Sequence, residues 1–417
     1  MTEYNIIRLG QHGDGIAEGP IFAPITLPGE VVTGTLEGQN LKDVRIATPS
    51  SDRVAAPCRH FKSCGGCSLQ HAADDFVADW KVSVVRAALD AHGIETEFRP
   101  ILTSPAQSRR RATFAAKRTK KGAMAGFYSR GTDTVIEIPD CQLMHPDLMA
   151  GLDIARELAV VGTSRKAALA VTVTLTANGL DVAVAQGKPL DGPLRQVLAE
   201  LCDRLKLARL SWEGEVIGTR LPPVQRFGKA DVVPPPGAFL QATKHGEASL
   251  LASVKEAVGD AAHVADLFAG CGTFALPLSQ NARVLAVEGD AAMTNALDQG
   301  WRKTKGLKPL TAEARDLYRR PVLPDEMRAL DAVVLDPPRA GAERQVAEIC
   351  TSHVPRVAYV SCNPVSFARD AQMLVQAGYS LDWVQVVDQF RWAAHVELAA
   401  CFSISGGRPP ELNLTAF

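Results

Sequence analysis

From about residue 238 onward, short unbroken apolar runs alternate with longer amphipathic ones. The runs His263 to Phe268, Arg283 to Val287, Asp331 to Asp336 and Val357 to Val360 are too short for helices and lack a polar face. That pattern predicts strands buried on both sides of a parallel sheet. Between them lie helical stretches such as Lys244 to Val258, so the carboxyl-terminal part reads as doubly wound α/β. Earlier in the chain the period changes. Val171, Val173 and Leu175 alternate with threonines, Asn178-Gly179 turns the chain, and Leu180, Val182 and Val184 return: a hairpin. A helix from about Pro193 to Leu207 and a second β region through Trp212, Val216 and Val224 follow. Asp74 to Gly93 reads as a helix capped by Asp74 or Asp75, with Phe76, Trp80, Val84 and Ala88 on one face and Trp80 in the core. The first 52 residues, with short apolar runs and the turn Gly10-Gln11-His12-Gly13-Asp14-Gly15, suit a small closed β-barrel. The stiff linker Pro234-Pro235-Pro236-Gly237 marks the main boundary, which gives expected units at 1–52, 53–237 and 238–417.

Composition changes this picture little. A hydrophobic share of 46%, a charged share of 22% and a net charge of −1 over 417 residues describe an ordinary globular chain, so a nucleic-acid surface must be local. No secretory signal or membrane-length apolar run is visible, and the cytoplasm is the expected compartment. Disulfides are rare there, so the nine cysteines need another account. Cys58, Cys64 and Cys67 cluster around Gly65-Gly66, and Cys141 follows Pro139-Asp140. Four soft ligands suit tetrahedral zinc or an iron–sulfur cluster, with His60 or His71 able to replace Cys141 at zinc. From Arg99 to Arg130 there are nine basic residues and no acidic one. This run predicts a phosphate-binding surface, with Phe114, Phe127 and Tyr128 available to stack on bases or to fill a core.

The chemistry-bearing residues gather at predicted strand ends. The strand Asp331 to Asp336 runs into Pro337-Pro338-Arg339, and Val357 to Val360 ends in Ser361-Cys362-Asn363-Pro364. Taken alone, Cys362 reads as a small buried hydrophobe. At the carboxyl end of a parallel strand, however, it stands where open α/β sheets bind ligands. Asp266 to Phe274 is a glycine-rich strand-to-helix turn, and Glu288 ends the next strand, where a carboxylate can accept both ribose hydroxyls of an adenosine cofactor. The turn lacks the third glycine of a dinucleotide fingerprint, so S-adenosylmethionine fits better than NAD.

Over nearly its whole length the chain resembles the S-adenosylmethionine-dependent RNA uracil-5-methyltransferases, especially the iron–sulfur branch that acts on 23S ribosomal RNA. The resemblance rests on Asp336-Pro337-Pro338-Arg339-Ala340-Gly341, Ser361-Cys362-Asn363-Pro364, His395-Val396-Glu397 and the four cysteines. It implies a class I (Rossmann-like) methyltransferase domain, preceded by an α+β iron–sulfur and RNA-binding domain and a TRAM-like barrel. It implies Gln241, Phe268, Thr273, Glu288, Asp316 and Asp336 as S-adenosylmethionine contacts. Cys58, Cys64, Cys67 and Cys141 would be the ligands of a [4Fe–4S] cluster. Cys362 would be the nucleophile that adds to C6 of uracil and Glu397 the base that takes the C5 proton, with Arg339 contacting RNA. The partner implied is RNA, 23S ribosomal RNA first and transfer RNA second, bound by a monomer away from membranes. The chain departs from the family at Arg391 to Ala394, where a proline and a threonine are usual, and at Thr273, where some members have asparagine. Two rivals are an amino-group methyltransferase that leaves Cys362 idle, and a non-catalytic iron–sulfur RNA-binding protein. Fluorouracil-containing RNA that traps the enzyme separates the first; methyl transfer itself separates the second.

Overall fold

A computed structural model describes residues 2–404. Five strands, Glu3–Leu9, Gly15–Ala17, Ile21–Ala23, Val31–Glu37 and Asn40–Thr48, close into the expected barrel. Alternate side chains fill it, among them Ile6, Val32 and Leu41. A seven-stranded sheet follows, in the order Val135–Ile136, Ala123–Tyr128, Arg111–Arg118, Ala168–Thr176, Gly179–Ala185, Arg209–Trp212 and Glu215–Thr219. The helices Gly151–Gly162 and Gly192–Arg204 pack with it around a core that includes Phe114, Leu158, Val171 and Trp212.

The largest sheet has nine strands. Across it run Leu310–Ala314, Arg283–Glu288, His263–Leu267, Ala332–Leu335 and Arg356–Ser361, all parallel. Then come Leu398–Ile404, reversed, and Tyr379–Asp388. The strand Arg356–Ser361 shows why these segments read as unbroken apolar runs. Val357 and Tyr359 enter one hydrophobic layer while Ala358 and Val360 enter the other. The order reverses between His263–Leu267 and Ala332–Leu335, a switch point that opens a crevice beyond the strand ends.

The edge of this sheet comes from far upstream. Glu97–Phe98 and Leu102–Thr103 both pair in parallel with Tyr379–Asp388. The helix Asp74–Asp90 buries Val85 and Leu89 in the same layer as Phe367 and Leu374. The expected boundary at residue 237 is therefore crossed by strand pairing, while the barrel pairs only within the first 52 residues. Neither Asp74 nor Asp75 caps that helix; its N-cap is Ala73, with no side-chain bond. Asp74 instead receives Arg391 at 2.5 Å and the Trp392 indole at 3.3 Å.

Candidate active site and cysteine cavity

Every residue expected at the cofactor or the reacting base lies at one edge of the nine-stranded sheet, or on the segments that cross it. The turn after His263–Leu267 carries Phe268 at φ 65°, Gly270 at φ 55° and Gly272 at φ 92°. Left-handed backbone is costly for phenylalanine and is held here by its surroundings, including the Tyr318 ring at 5.6 Å. Glu288, ending the neighbouring strand, accepts from Gly270 N–H and Asp290 N–H, both at 2.9 Å, which fixes its carboxylate with lone pairs to spare. Asp316 follows the next strand out and accepts from Tyr318 N–H at 3.0 Å. Asp266 lies fully buried beneath the turn. Burial, and then the Asp336 charge, push its carboxyl well above the usual range.

Asp336 and Cys362 end adjacent strands. The loop after Asp336 is pinned by Asp370, which accepts from Ala342 N–H at 2.7 Å and from the Tyr359 hydroxyl at 2.5 Å. Gly341 stands at φ 80°, and a Cβ there would meet the Asp370 carboxylate at 2.7 Å, so glycine is required. Beyond Cys362, Asn363 caps the helix Pro364–Gln376 by accepting from Val365 N–H at 3.1 Å, with proline in its first turn. Cys362 is thus held half-buried between a strand end and a capped helix. Burial first, then Glu397 and Asp336, push its thiol up to about 11, while Arg339 pulls the other way. The thiol is therefore neutral at pH 7. Glu397 is 3% exposed, and burial followed by the Asp336 charge raise it well above the carboxylate range. Asp336 is raised by burial and Glu288. Asp336, raised to about 7, and Glu397, raised to about 8, are therefore able to take up and give back a proton near neutral pH.

Gln241 and Glu397 meet through a residue that sequence reading did not single out. Gln389, 2% exposed, donates from Nε2 to Gln241 Oε1 at 2.6 Å and to Glu397 Oε2 at 3.0 Å. Gln241 in turn faces Asp336 Oδ2 at 3.4 Å. The preceding Asp388 forms a buried ion pair with Lys81 at 2.6 Å. Burial, the larger effect, lowers the Lys81 pKa and Asp388 partly restores it. The Lys81 ammonium also donates to the Phe390 carbonyl at 3.2 Å.

The four cysteines line one cavity of about 280 Å³, together with Phe61, Arg109 and Leu143. Neither His60 nor His71 lines it. His60 Nε2 meets Asp140 at 2.9 Å, and His71 is buried against the Phe61 ring. Burial pushes the Cys67 thiol up to about 12, and any charge on Cys141, Cys64 or Cys58 raises it further. Among the described residues no group of three or more His, Cys, Asp or Glu is placed to hold a metal ion. Arg109, in the cavity wall, also places its guanidinium 5.9 Å from the Phe390 ring centroid, next to the segment that leads to Glu397. The carbonyl of Trp392 accepts from Ser68 N–H at 2.8 Å and from Leu69 N–H at 2.9 Å. The departing segment Arg391 to Ala394 thus docks, through Trp392, on the stretch that follows Cys67.

Residues 310–403 match a family model described as tRNA (Uracil-5-)-methyltransferase. An uncharacterised RNA methyltransferase of Brucella suis is 42% identical over 95% of this chain and 97% of its own length. The 23S rRNA (uracil(1939)-C(5))-methyltransferase of a Shewanella species is 30% identical over 96% of this chain and 95% of its own. The chain belongs to the RNA uracil-5-methyltransferase family. Among solved structures, the Pyrococcus abyssi tRNA (uracil-54, C5)-methyltransferase with S-adenosyl-L-homocysteine superposes with a TM-score of 0.75. It covers 96% of this chain and 99% of its own at 22% identity, a likeness of fold.

Within this family fold the basic run divides. Arg110 is buried, paired with Glu247, and donates to the Gln241 carbonyl at 3.0 Å; it braces the site and is not available to phosphate. Arg99 pairs with Glu256 at 2.5 Å and lies over Trp383. Phe114 is core and stacks on Phe127. Arg118, Lys120, Lys121 and Tyr128 remain exposed, so the cationic surface is smaller than the charge count suggests. Arg339 reaches His395 Nδ1 at 2.8 Å at the rim of the crevice.

Proposed function

We propose that this RNA uracil-5-methyltransferase acts on a uridine of 23S ribosomal RNA through a covalent bond from Cys362 to C6. The observation that carries the reading is a thiol, Cys362, and two proton-holding carboxyls, Asp336 and Glu397, brought to one sheet edge beside the cofactor turn. The ribosomal substrate is supported by the Shewanella relative, which resembles this chain over nearly all of both lengths.

C5 of uracil is a poor nucleophile. The Cys362 sulfur adds to C6 as its proton passes to the Asp336 carboxylate, and the C5=C6 electron pair moves toward C4 and its oxygen. When bound, S-adenosylmethionine supplies the methyl group that C5 takes up. Glu397 then accepts the C5 proton and passes it to solvent, the C5=C6 bond re-forms, and the sulfur leaves, recovering its proton from Asp336. The neutral resting thiol suits this order, because it spends its proton only when a base is stacked against it. The uridine has to leave its stack to reach Cys362. Glu288, Asp316, Gln241, Phe268, Thr273 and Asp336 would hold the methyl donor. The fixed Glu288 carboxylate, with lone pairs free for ribose hydroxyls, fits that task.

Cys58, Cys64, Cys67 and Cys141 would hold a [4Fe–4S] cluster. The fit is supported by four soft donors around a cavity roomier than a lone ion needs, with the Arg109 cation in its wall. Such a cluster would supply a rigid cross-link between the segment of residues 58–67 and Cys141, with no part in the bond changes. The protein would work as a monomer in the cytoplasm. Mass mapping of methyluridines in ribosomal and transfer RNA, with and without this protein, tests the reading. Loss of a 23S methyluridine is expected; loss confined to transfer RNA overturns the substrate.

A further inference from the structure

The Gln389 side chain has three partners and no spare hydrogen-bonding atom facing the site. Its Oε1 accepts from Ala242 N–H at 2.7 Å. A backbone N–H can only donate, so this contact decides which end of the amide is oxygen. Both Nε2 protons are then committed, one to Gln241 Oε1 at 2.6 Å and one to Glu397 Oε2 at 3.0 Å. Packing locks the same rotamer. Gly246, in the first turn of the helix Lys244–Val258, leaves no room for a side chain, because a Cβ there would meet Gln389 Cβ at 2.6 Å. The backbone on either side is held as well, by the buried Lys81–Asp388 pair and by Phe390 N–H donating to Asp388 at 3.1 Å.

We propose that Gln389 is a positioning residue for the last step of the reaction: its amide occupies Oε2 of Glu397, leaving Oε1 to take the C5 proton. The proposal rests on the reading of Glu397 as the base. An amide N–H favours the ionised carboxylate, against the burial and the Asp336 charge that oppose it. The second N–H orients Gln241, whose own amide faces Asp336, so one side chain sets both the base and a residue of the methyl-donor site. Gln389 touches neither reacting carbon. It acts through Glu397 and Gln241.

The test is single-turnover methylation of a uridine-containing RNA by the full-length protein, with adduct formation and adduct decay followed separately across pH. Q389M keeps the side chain's length and removes both donors. In that variant, decay should slow at least tenfold more than formation, and the rising limb of decay against pH should move upward by about one unit. Binding of S-adenosyl-L-homocysteine should weaken several-fold through Gln241. Q389E keeps the acceptor for Ala242 N–H and places a second acid beside Glu397; it should move the limb further. Equal slowing of both steps with an unmoved limb, in either variant, overturns the proposal. E397Q is run in parallel. If it fails to accumulate adduct, the base assignment is lost and the proposal with it. If it accumulates adduct while Q389M keeps the wild-type limb, only the role of Gln389 is lost.

Discussion

Two regions of this molecule use cysteine in opposite surroundings. At the cavity, four thiols share one lining with the side chains of Arg109 and Arg111. At the sheet edge, one thiol is acted on by two carboxyls, Glu397 and Asp336, and by the Arg339 cation. Burial raises the thiols in both places, so burial alone does not tell ligand from nucleophile. The difference lies in what could stabilise the thiolate. Four thiolates in one cavity would repel one another, and the proposed metal centre would be what stabilises them. A single thiol beside carboxyls of raised proton affinity has a base at hand to take its proton.

The largest way to break that comparison is C362A. Turnover should fall by on the order of a millionfold, as for other lost nucleophiles, and fluorouridine RNA should no longer be trapped on a denaturing gel. E397Q comes next. Turnover should drop by roughly 10² to 10⁴, with a methylated protein–RNA adduct accumulating to stoichiometry. C67S tests the other region. Iron content and the visible absorbance of the purified protein should be lost, and Tm should fall by several degrees, on the order of 3 kcal/mol, by calorimetry. Fluorouridine trapping, read per folded molecule, should survive C67S while failing in C362A.

The smallest effect is on the pH dependence of stability. Glu397 is raised in the folded protein, so between its unfolded and folded pKa values the native state binds more protons than the unfolded one. Its contribution to stability is therefore full below the ordinary carboxylate range and is lost as pH rises through the raised value. Adduct decay should accelerate over the same window, because the base must be ionised. Melting E397Q across that range should show a shallower decline than wild type; identical slopes would remove Glu397 from the account.

Much of this was legible in the chain because parallel strands buried on both faces leave unbroken apolar runs ending at the functional edge. Cys362, Asp336 and the glycine turn after Leu267 stand at strand ends as expected, and the helix Lys244–Val258 has the expected limits. What escaped notice has no local period. Glu97–Phe98 and Leu102–Thr103 are two residues each, too short for alternation to register. Lys81 sits on the buried face of an otherwise ordinary amphipathic helix and meets its counter-ion only through the fold. Gln389 is a neutral residue that joins Glu397, eight residues on, to Gln241 and Ala242, far upstream. Arg110 shows the reverse error, since a charge in a basic run reads as surface until its pairing with Glu247 is seen.

The edge strands have a consequence for how the chain is made. Thr103 pairs with Asp388, and every residue between them must be synthesised before that edge can form. At ribosomal speeds of about 5–20 residues per second, the upstream strands and the helix Asp74–Asp90 wait roughly 15 to 60 s for their sheet. During that wait Lys81 has no Asp388, and Val85 and Leu89 have no apolar layer. The barrel and the seven-stranded sheet, whose pairings are all upstream of residue 220, are free to fold meanwhile. The nascent chain therefore carries an exposed amphipathic helix between two units able to fold first. That helix is the segment a chaperone would meet.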